Sequence, residues 1–323
     1  MAARGRDLSR GIHAIRVAID TTPLLQTRAG TARYLRGLLD HLGTSVELEE
    51  LRFRATSRLR TLAADTLWYP RLRSKTGADV LHCPTFRGPF RSRTPLVVTV
   101  HDLAVLAHPE WFNRWTGTYS RFAVPRVVAA ATRLIAVSEH TSRELQERLD
   151  VPEAKIRVVP NAVEDIFTPD GPSAAGDYVL AVGTLEPRKN LARIAAAVDG
   201  ELRVVGTPGW GGVSLPQNAT WLGDVPDEEL AGLYRGARCL VYASLYEGFG
   251  IPVAEALACG CPVVTSAGSP MQELAGADAT YVDPLDVQSI REGIELAAKP
   301  AQRHFASWSE VAASTRAVYE EVA

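Results

Sequence analysis

The sequence predicts an α/β protein built from two doubly wound parallel sheets. Three observations favour this class. Short apolar runs rich in β-branched residues recur along the 323 residues, most of them are followed by a helical pattern, and the runs are continuous rather than alternating. Continuous apolar runs are typical of strands buried on both faces, and strands that alternate with helices form βαβ units in parallel sheets.

Ten such runs are predicted as strands, five in each half of the chain. They are Ile15–Asp20, Asp79–His82, Leu96–Val100, Leu134–Val137, Ile156–Val159, Tyr178–Val182, Leu202–Val205, Cys239–Tyr242, Pro262–Thr265 and Thr280–Val282. Ten strands are too many for one compact sheet of this length. At roughly 150 residues per domain, the length also favours two domains.

The two predicted domains meet in the segment 160–176, which is rich in proline, glycine, asparagine and aspartate. These residues favour turns. We therefore predict a first domain over residues 1–165 and a second domain over residues 166–304. Apolar residues from Trp308 to Tyr319 recur at helical spacing, which predicts an amphipathic helix over the final residues, 305–323.

Composition excludes several classes of protein. The chain is 46% hydrophobic with a net charge of −2, which is incompatible with a mainly disordered protein. No apolar run reaches the length of about 18 residues that a membrane span needs, and no apolar segment near the N-terminus is typical of a secretory signal. The four cysteines are too few for a disulfide framework, so we expect reduced thiols in a cytoplasmic protein.

The near-neutral charge conceals an asymmetry. The first hundred residues hold 17 Lys and Arg against 8 Asp and Glu, a net of +9, and the rest of the chain has a net of −11. Such asymmetry indicates an anionic partner. The arginines and Lys75 of the stretch 52–75 surround Trp68 and Tyr69, which raises the hypothesis of peripheral binding to the inner face of an anionic membrane. A solvated helical face is the alternative, and no nucleic-acid-binding module is recognisable.

The string Ser244–Glu255 carries the strongest functional pattern. It follows a predicted strand, and ligands of open α/β sheets bind beyond the carboxyl ends of the strands. Gly248 and Gly250 allow backbone N–H groups to approach an anion at the start of the next helix. Glu247 and Glu255 are eight residues apart and are expected to face the same cleft. Carboxylates beside an anion site fit a nucleotide sugar, which has hydroxyls at both ends of its diphosphate.

Polar residues that are candidates for ligand binding follow three other predicted strands. They are, in chain order, Gly30 and Thr31, His101 and Asp102, and Arg188 and Lys189. The arginine offers phosphate a bidentate fork, and the lysine a compact point charge. The histidine and aspartate end a strand of the first domain, where they are expected to face the cleft. The glycine precedes a helix and permits close backbone approach to a phosphate.

These residues stand in strings that resemble those of a known family. Glu247 and Glu255 form a Glu-x7-Glu pair, and Glu247 lies inside Ser-Leu-Tyr-Glu-Gly-Phe-Gly-Ile-Pro; both features are similar to the motif of retaining group 1 glycosyltransferases of family 4. The fold of that family is GT-B: two Rossmann-like domains face a cleft, and a C-terminal helix crosses back to the first domain. Further matches are Gly183–Leu191, Ala136–Glu139, Val158–Asn161 and Gly223–Leu230. The resemblance covers nearly the whole chain and is most specific over residues 178–286.

The resemblance implies a role for each matching residue. Arg188 and Lys189 would bind the donor diphosphate and stabilise the leaving group, Glu247 would hold a hydroxyl of the donor sugar, and Glu255 would accept hydrogen bonds from ribose hydroxyls. His101 would contact the transferred sugar or the acceptor. Further donor contacts are expected at Gly30, Thr31, Gly248, Phe249, Gly250 and Ile251, and a further acceptor-side residue is Asp102.

The implied activity is a retaining transfer from a nucleotide sugar, with GDP-mannose as the leading donor, to a hydroxyl of a glycan or lipid-linked acceptor. UDP-glucose, UDP-N-acetylglucosamine and dTDP-rhamnose stay open as donors. No Asp-x-Asp pattern is present, so we expect neither metal nor cofactor. A nucleotide-sugar epimerase of the same fold and a non-catalytic nucleotide-sugar-binding subunit are the alternatives.

Three departures from the family pattern weaken any inference about specificity. The first loop has Ala29-Gly30 where many relatives have two glycines, and Thr184 stands where some have arginine. The chain is also short around residues 51–79 and 206–220. Base and acceptor selectivity often reside in these regions.

Overall fold

The computed structural model describes residues 14–26, 30–43, 46–53, 77–209, 211–212, 215–301 and 303–323. Within these residues the chain forms two six-stranded sheets, one from each half of the sequence, and all paired strands are parallel. The parts that carry these sheets are called the first and second domains below. The predicted two-domain α/β architecture is confirmed.

The first sheet has the strand order β2-β1-β3-β4-β5-β6. Its strands are β1 (Ile15–Asp20), β2 (Val46–Leu51), β3 (Val80–Cys83), β4 (Leu96–Val100), β5 (Arg133–Ala136) and β6 (Ile156–Val158). Every residue of the central strands β3 and β4 is buried, as expected where both faces of a parallel sheet are covered.

The second sheet has the strand order β12-β11-β10-β7-β8-β9. Its strands are β7 (Tyr178–Val182), β8 (Glu201–Val205), β9 (Ala219–Gly223), β10 (Cys239–Tyr242), β11 (Val263–Ser266) and β12 (Thr280–Val282). The last strand of the first sheet and the first strand of the second lie on either side of the turn-rich segment 160–176. The exact domain boundary at residue 165 stays a prediction.

Helices occupy most of the connections between strands. Those described are α1 (Pro23–Gln26), α2 (Gly30–His41), α3 (Ala104–Ala107), α4 (Arg114–Ala130), α5 (Glu139–Leu149), α6 (Leu191–Ala197), α7 (Asp227–Gly236), α8 (Ile251–Ala258), α9 (Pro270–Ala275), α10 (Val287–Leu296) and α11 (Trp308–Glu320). Short 3-10 turns cover Pro109–Trp111, Glu153–Lys155 and Pro187–Lys189.

All ten predicted strands are present, within one residue at each end, but two described strands were not predicted. Both β2 and β9 lie at sheet edges. Three glutamates interrupt β2, and β9 exposes Thr220 and Trp221. A search for continuous apolar runs finds buried strands and misses edge strands, which keep one side in water.

The C-terminal helix α11 packs against the first domain, although it follows the second in sequence. Its Trp308 and Tyr319 belong to the same apolar cluster as Val17, Ile19 and Tyr34. Trp308 fills the space beside Gly37 of α2, where a Cβ atom would lie 2.1 Å from the indole. The hydroxyl of Tyr319 also lies 2.7 Å from Nδ1 of buried His82 in β3. This helix therefore closes the hydrophobic core of the first domain.

Three further findings concern the whole chain. Cys83, Cys239, Cys259 and Cys261 are free and buried. Among the described residues, no helix has the length and apolarity needed to cross a membrane. The basic and aromatic residues of 54–75, on which the membrane hypothesis rests, lie outside the described residues.

Candidate active site

The two sheets face each other through segments that follow the carboxyl ends of their strands. Ser138, after β5, donates a hydrogen bond from Oγ to the carbonyl oxygen of Gly248, after β10, at 2.6 Å. Thr141 Oγ1 donates to the same carbonyl at 3.1 Å. The carbonyl of His101, after β4, approaches Gly248 so closely that a Cβ atom there would lie 1.7 Å from it. The string that begins at Ser244 is therefore docked on the first domain across a closed cleft.

Two further sets of contacts cross the cleft, one from this string and one from α9. Tyr246 donates its hydroxyl hydrogen to Glu144 of α5 and accepts from the backbone N–H of Leu103 at 3.3 Å. The Glu273 carboxylate of α9 accepts the backbone N–H groups of Glu139 and His140 at 2.8 and 3.0 Å. Those N–H groups begin α5, and the orphan donors of a helix N-terminus favour an anion.

Arg188 and Lys189 lie together on Glu247. The two cations end the 3-10 turn after β7, and Glu247 belongs to the string after β10. Arg188 Nη1 donates to Glu247 Oε2 at 2.7 Å, and Lys189 Nζ donates to Oε1 at 2.6 Å. Lys189 also donates to the Tyr242 hydroxyl at 2.5 Å. The structure thus brings Glu247 to two adjacent cations that lie 59 and 58 positions before it in the sequence.

The charges in this cluster are strongly coupled. Burial raises the pKa of Glu247, but the charges of Arg188 and Lys189 outweigh that effect and hold it at about 2. Burial lowers the pKa of Lys189, although Glu247 opposes the shift. Glu247 is therefore ionised at neutral pH and acts as a counter-ion of both cations.

The glycines of the string permit its close contacts. Gly250 precedes α8 and has a φ of +98°, in the left-handed region, and a Cβ atom there would lie 2.6 Å from Met271. Phe249 is buried between the two glycines, and Ile251 is the first residue of α8. The N-terminus of α8 and the backbone of this loop thus lie beside the cluster of Arg188 and Lys189, as a phosphate site requires.

Glu255 is held by a different set of partners. Its side chain is only 2% exposed, and Arg33 of α2 donates to Oε1 at 2.8 Å from the opposite domain. The Tyr234 hydroxyl donates to Oε2 at 2.9 Å. Burial raises the pKa of Glu255 to about 7, although the charge of Arg33 lowers it.

His101 and Asp102 lie where the first domain meets the string. The ring Nε2 of His101 lies 3.0 Å from the carbonyl of Pro84, so Nε2 carries the proton and Nδ1 is left as an acceptor. Burial lowers the pKa of His101, which keeps the ring neutral at pH 7. Asp102 accepts the backbone N–H of Ala104 at 3.0 Å and, by its charge, raises the pKa of Arg188. Their roles toward the sugar and the acceptor stay predictions.

Gly30 and Thr31 are the first two residues of α2. A Cβ atom on Gly30 would lie 3.9 Å from the side chain of Ile251, which begins α8. The N-termini of these two helices therefore approach each other across the cleft. This position agrees with the expected donor contact, which itself stays a prediction.

Several side chains that build the site were not singled out from the sequence. They are Arg33, Ser138, Thr141, Glu186, Tyr234, Tyr242 and Glu273, of which Glu186 forms a second salt bridge with Arg188 at 2.7 Å. Ser138 and Glu186 lie inside the quoted family strings, which was an available signal. Arg33 and Tyr234 reach Glu255 only through tertiary packing, and one arginine among the 31 of this chain carries no distinguishing pattern.

Among the residues that the structure describes, no group of three or more His, Cys, Asp or Glu side chains is arranged to hold a metal ion. The expectation of metal-independent chemistry stays a prediction.

The sequence and the fold are similar to those of known proteins. Residues 13–166 match the family model of glycosyltransferase family 4, and residues 212–308 match that of group 1 glycosyl transferases. O-antigen chain mannosyltransferase B of Escherichia coli is 27% identical, covering 92% of this chain and 93% of the relative. O-antigen chain mannosyltransferase RfbU of Salmonella typhimurium is 30% identical, covering 74% and 72%.

Two solved structures share the fold. Sucrose-phosphate synthase from Thermosynechococcus elongatus superposes with a TM-score of 0.69 at 18% identity, over 95% of this chain and 94% of that one. The Anabaena protein HepE, in complex with UDP and glucose, superposes with a TM-score of 0.66 at 18% identity, over 96% and 95%. Fold and comparisons together define a glycosyltransferase of the GT-B class. The chain belongs to glycosyltransferase family 4, among the group 1 enzymes.

Proposed function

We propose that this glycosyltransferase moves mannose from GDP-mannose to a hydroxyl of an envelope glycan, with retention of configuration at the sugar. The observation that carries the proposal is the convergence of Arg188 and Lys189 beside the Gly248–Gly250 loop. Two cations at the N-terminus of α8 are suited to a sugar diphosphate. The choice of mannose rests on relatives named as mannosyltransferases, two of them for O-antigen chains and one for α-(1->4) transfer.

Donor binding requires an exchange of partners in the cation cluster. Glu247 pairs with both Arg188 and Lys189, and Glu186 also pairs with Arg188. The diphosphate would take one or both cations, which frees oxygens of Glu247 for a hydroxyl of the donor sugar. Because the cluster is buried, each charge–charge contact is stronger than in water.

The chemical step then rests on stabilising a leaving group. The bond between the sugar C1 and the β-phosphate oxygen breaks, and a bond from C1 to the acceptor oxygen forms on the same face. The acceptor hydroxyl proton passes to the departing phosphate oxygen, and GDP leaves. Arg188 and Lys189 are placed to neutralise the charge that grows on the diphosphate. His101 Nδ1 is available to accept a hydrogen bond from a sugar hydroxyl.

The proposed acceptor is inferred from the named relatives and from the charge of the first hundred residues. The relatives named for O-antigen chains and the basic first hundred residues favour an anionic, lipid- or polysaccharide-linked glycan. We include in the proposal a cytoplasmic enzyme that meets such an acceptor at the inner face of the membrane. Sedimentation with anionic vesicles at low salt is the test, and equal pelleting with neutral vesicles would remove the membrane from the proposal.

Labelled GDP-mannose, incubated with the purified chain and an envelope glycan fraction, tests the activity. We expect release of GDP, label in the glycan, an α-linked product and no loss of rate in EDTA. Lys189→Met should release little GDP.

Other outcomes have defined meanings. An isomerised nucleotide sugar would identify an epimerase, and binding without release of nucleotide would identify a binding subunit. A β-linked product would contradict retention. The proposed donor, GDP-mannose, would be wrong if transfer occurred only from UDP-glucose, UDP-N-acetylglucosamine or dTDP-rhamnose. The proposed mechanism would still hold.

A further inference from the structure

Arg33 crosses the cleft from the first domain to the second. It lies one turn inside α2, and its side chain is 22% exposed. Nη1 contacts Glu255 Oε1 at 2.8 Å, and Nη2 donates to Asp227 Oδ2 at 2.9 Å. Glu164, in the segment between the domains, lies 4.0 Å away. A first-domain guanidinium is therefore fixed on carboxylates of α7 and α8.

Glu255 faces Arg33 in an otherwise acidic and apolar setting. Tyr234 and Asp227 face it from α7, Glu164 faces it from the interdomain segment, and Cys259 lies one turn further along α8. Among the described residues, Arg33 provides the one cationic group in salt-bridge contact with Glu255. Burial disfavours the charged form of a carboxyl group, and a nearby cation restores it.

The protonation of Glu255 decides what it can bind. An ionised carboxylate has about four lone-pair positions, and Arg33 and Tyr234 use one on each oxygen. One position on each oxygen is then left for a pair of neighbouring hydroxyls. A protonated acid loses acceptor capacity and becomes a donor on one oxygen. Recognition of hydroxyls by Glu255 therefore needs its counter-charge.

We propose that Arg33 is a positioning residue for the donor nucleoside, because it favours the ionised form of Glu255 and orients that carboxylate to accept hydrogen bonds from the vicinal ribose hydroxyls. This inference rests on the proposed function, since it takes a nucleoside diphosphate as the ligand. Arg33 acts from the opposite domain, so Glu255 acquires its counter-charge only when the cleft is closed. Ribose recognition and domain closure are thereby linked through one side chain.

The test compares calorimetric affinities for GDP and 2′,3′-dideoxy-GDP between pH 6 and 9.5. The proteins are wild type, Arg33→Met, Arg33→Lys and Glu255→Gln. Arg36→Met is the matched control, because Arg36 lies on the same helix and is exposed. Thermal unfolding of each variant identifies any that fails to fold, and the lysine variant retains a positive charge.

We expect the wild type to prefer GDP over the dideoxy nucleotide by about tenfold or more once Glu255 is ionised. Arg33→Met should lose this preference at pH 7 and regain it at higher pH, with the midpoint moved up by at least about one pH unit. Arg33→Lys should keep most of the preference at pH 7. Glu255→Gln should show little preference at any pH, and Arg36→Met should match the wild type.

Two results would overturn this inference and leave the proposed function untouched. One is an Arg33→Met variant that keeps the wild-type preference at pH 7. The other is a folded Arg33→Met variant that lacks the preference at every pH, which indicates a purely structural role. A wild-type protein that binds neither nucleotide would instead refute the proposed GDP-linked donor, and with it this inference.

Discussion

Glu247 and Glu255 come from one motif and are both buried, but their surroundings shift their pKa values in opposite directions. Two cations of the same domain hold Glu247, which lowers its pKa to about 2. One arginine of the opposite domain, shared with Asp227, holds Glu255, and burial raises its pKa to about 7. The spacing of two glutamates in a sequence therefore says little about their charge states.

The difference separates a preformed part of the site from a conditional part. The salt bridges of Glu247 with Arg188 and Lys189 are formed entirely by residues of the second domain. The contact of Glu255 with Arg33 exists only when the domains meet. We infer that the residues for phosphate are positioned by the second domain itself, whereas the nucleoside site is completed only when the cleft between the domains closes.

The largest expected effect is on stability. Glu247→Ala leaves buried Lys189 without its salt-bridge partner and leaves Arg188 paired with Glu186 alone, and we expect a loss of about 3–5 kcal/mol in the free energy of unfolding. Glu255→Ala should cost no more than about 2 kcal/mol, because Arg33 keeps Asp227. Urea unfolding at pH 7 measures both, and equal losses would contradict the contrast between the two carboxylates.

The next effect is on turnover. Arg188→Ala and Lys189→Ala should each lower kcat about a hundredfold or more, a few kcal/mol of transition-state stabilisation, and not merely raise the donor KM. Arg238→Ala, at an exposed arginine of the same domain, should leave kcat unchanged. Steady-state kinetics with saturating donor provide the measurement. Unchanged kcat in both site variants would mean that the phosphate site lies elsewhere.

The two carboxylates should also give stability opposite pH dependences. The pKa of Glu247 is lowered by folding, so its contribution is present above pH 4.5 and is lost as pH falls toward 2. The pKa of Glu255 is raised by folding, so stability falls as pH rises from 4.5 to about 7. Each change amounts to about 3 kcal/mol, at about 1.4 kcal/mol per pKa unit.

Urea unfolding from pH 3 to 8 distinguishes the two contributions. Glu247→Gln should flatten the acid limb of the stability profile, and Glu255→Gln should remove the fall between pH 4.5 and 7. The account would be contradicted if Glu255→Gln flattened the acid limb and Glu247→Gln removed the fall between pH 4.5 and 7.

The smallest expected effect is at the contact that docks the string on the first domain. Ser138→Ala removes one of two side-chain hydrogen bonds to the Gly248 carbonyl and leaves that of Thr141. We expect kcat/KM to fall about fivefold, near 1 kcal/mol. Ser309→Ala, at an exposed serine of α11, should have no effect. A Ser138 variant with wild-type kcat/KM would mean that the loop does not depend on this contact.

The sequence predicted the buried strands, and it singled out the residues of the Glu247 cluster, because both are local patterns. Tyr178–Val182 and Cys239–Tyr242 are continuous apolar runs, and Arg188, Lys189 and Glu247 directly follow such runs. The edge strands β2 and β9 were not predicted because they contain no continuous apolar run. Arg33 and Tyr234 were not singled out for a different reason. They meet Glu255 only because α2, α7 and α8 pack together, and no spacing pattern in the sequence indicates that packing.

The most direct measurement is a crystal structure of the chain with GDP bound. We expect diphosphate oxygens within about 3.2 Å of Lys189 Nζ and the Arg188 guanidinium, with ribose hydroxyls on Glu255 and Arg33 still in contact with it. A diphosphate bound away from both cations, with Glu247 still pairing them, would contradict the assignment of the donor site.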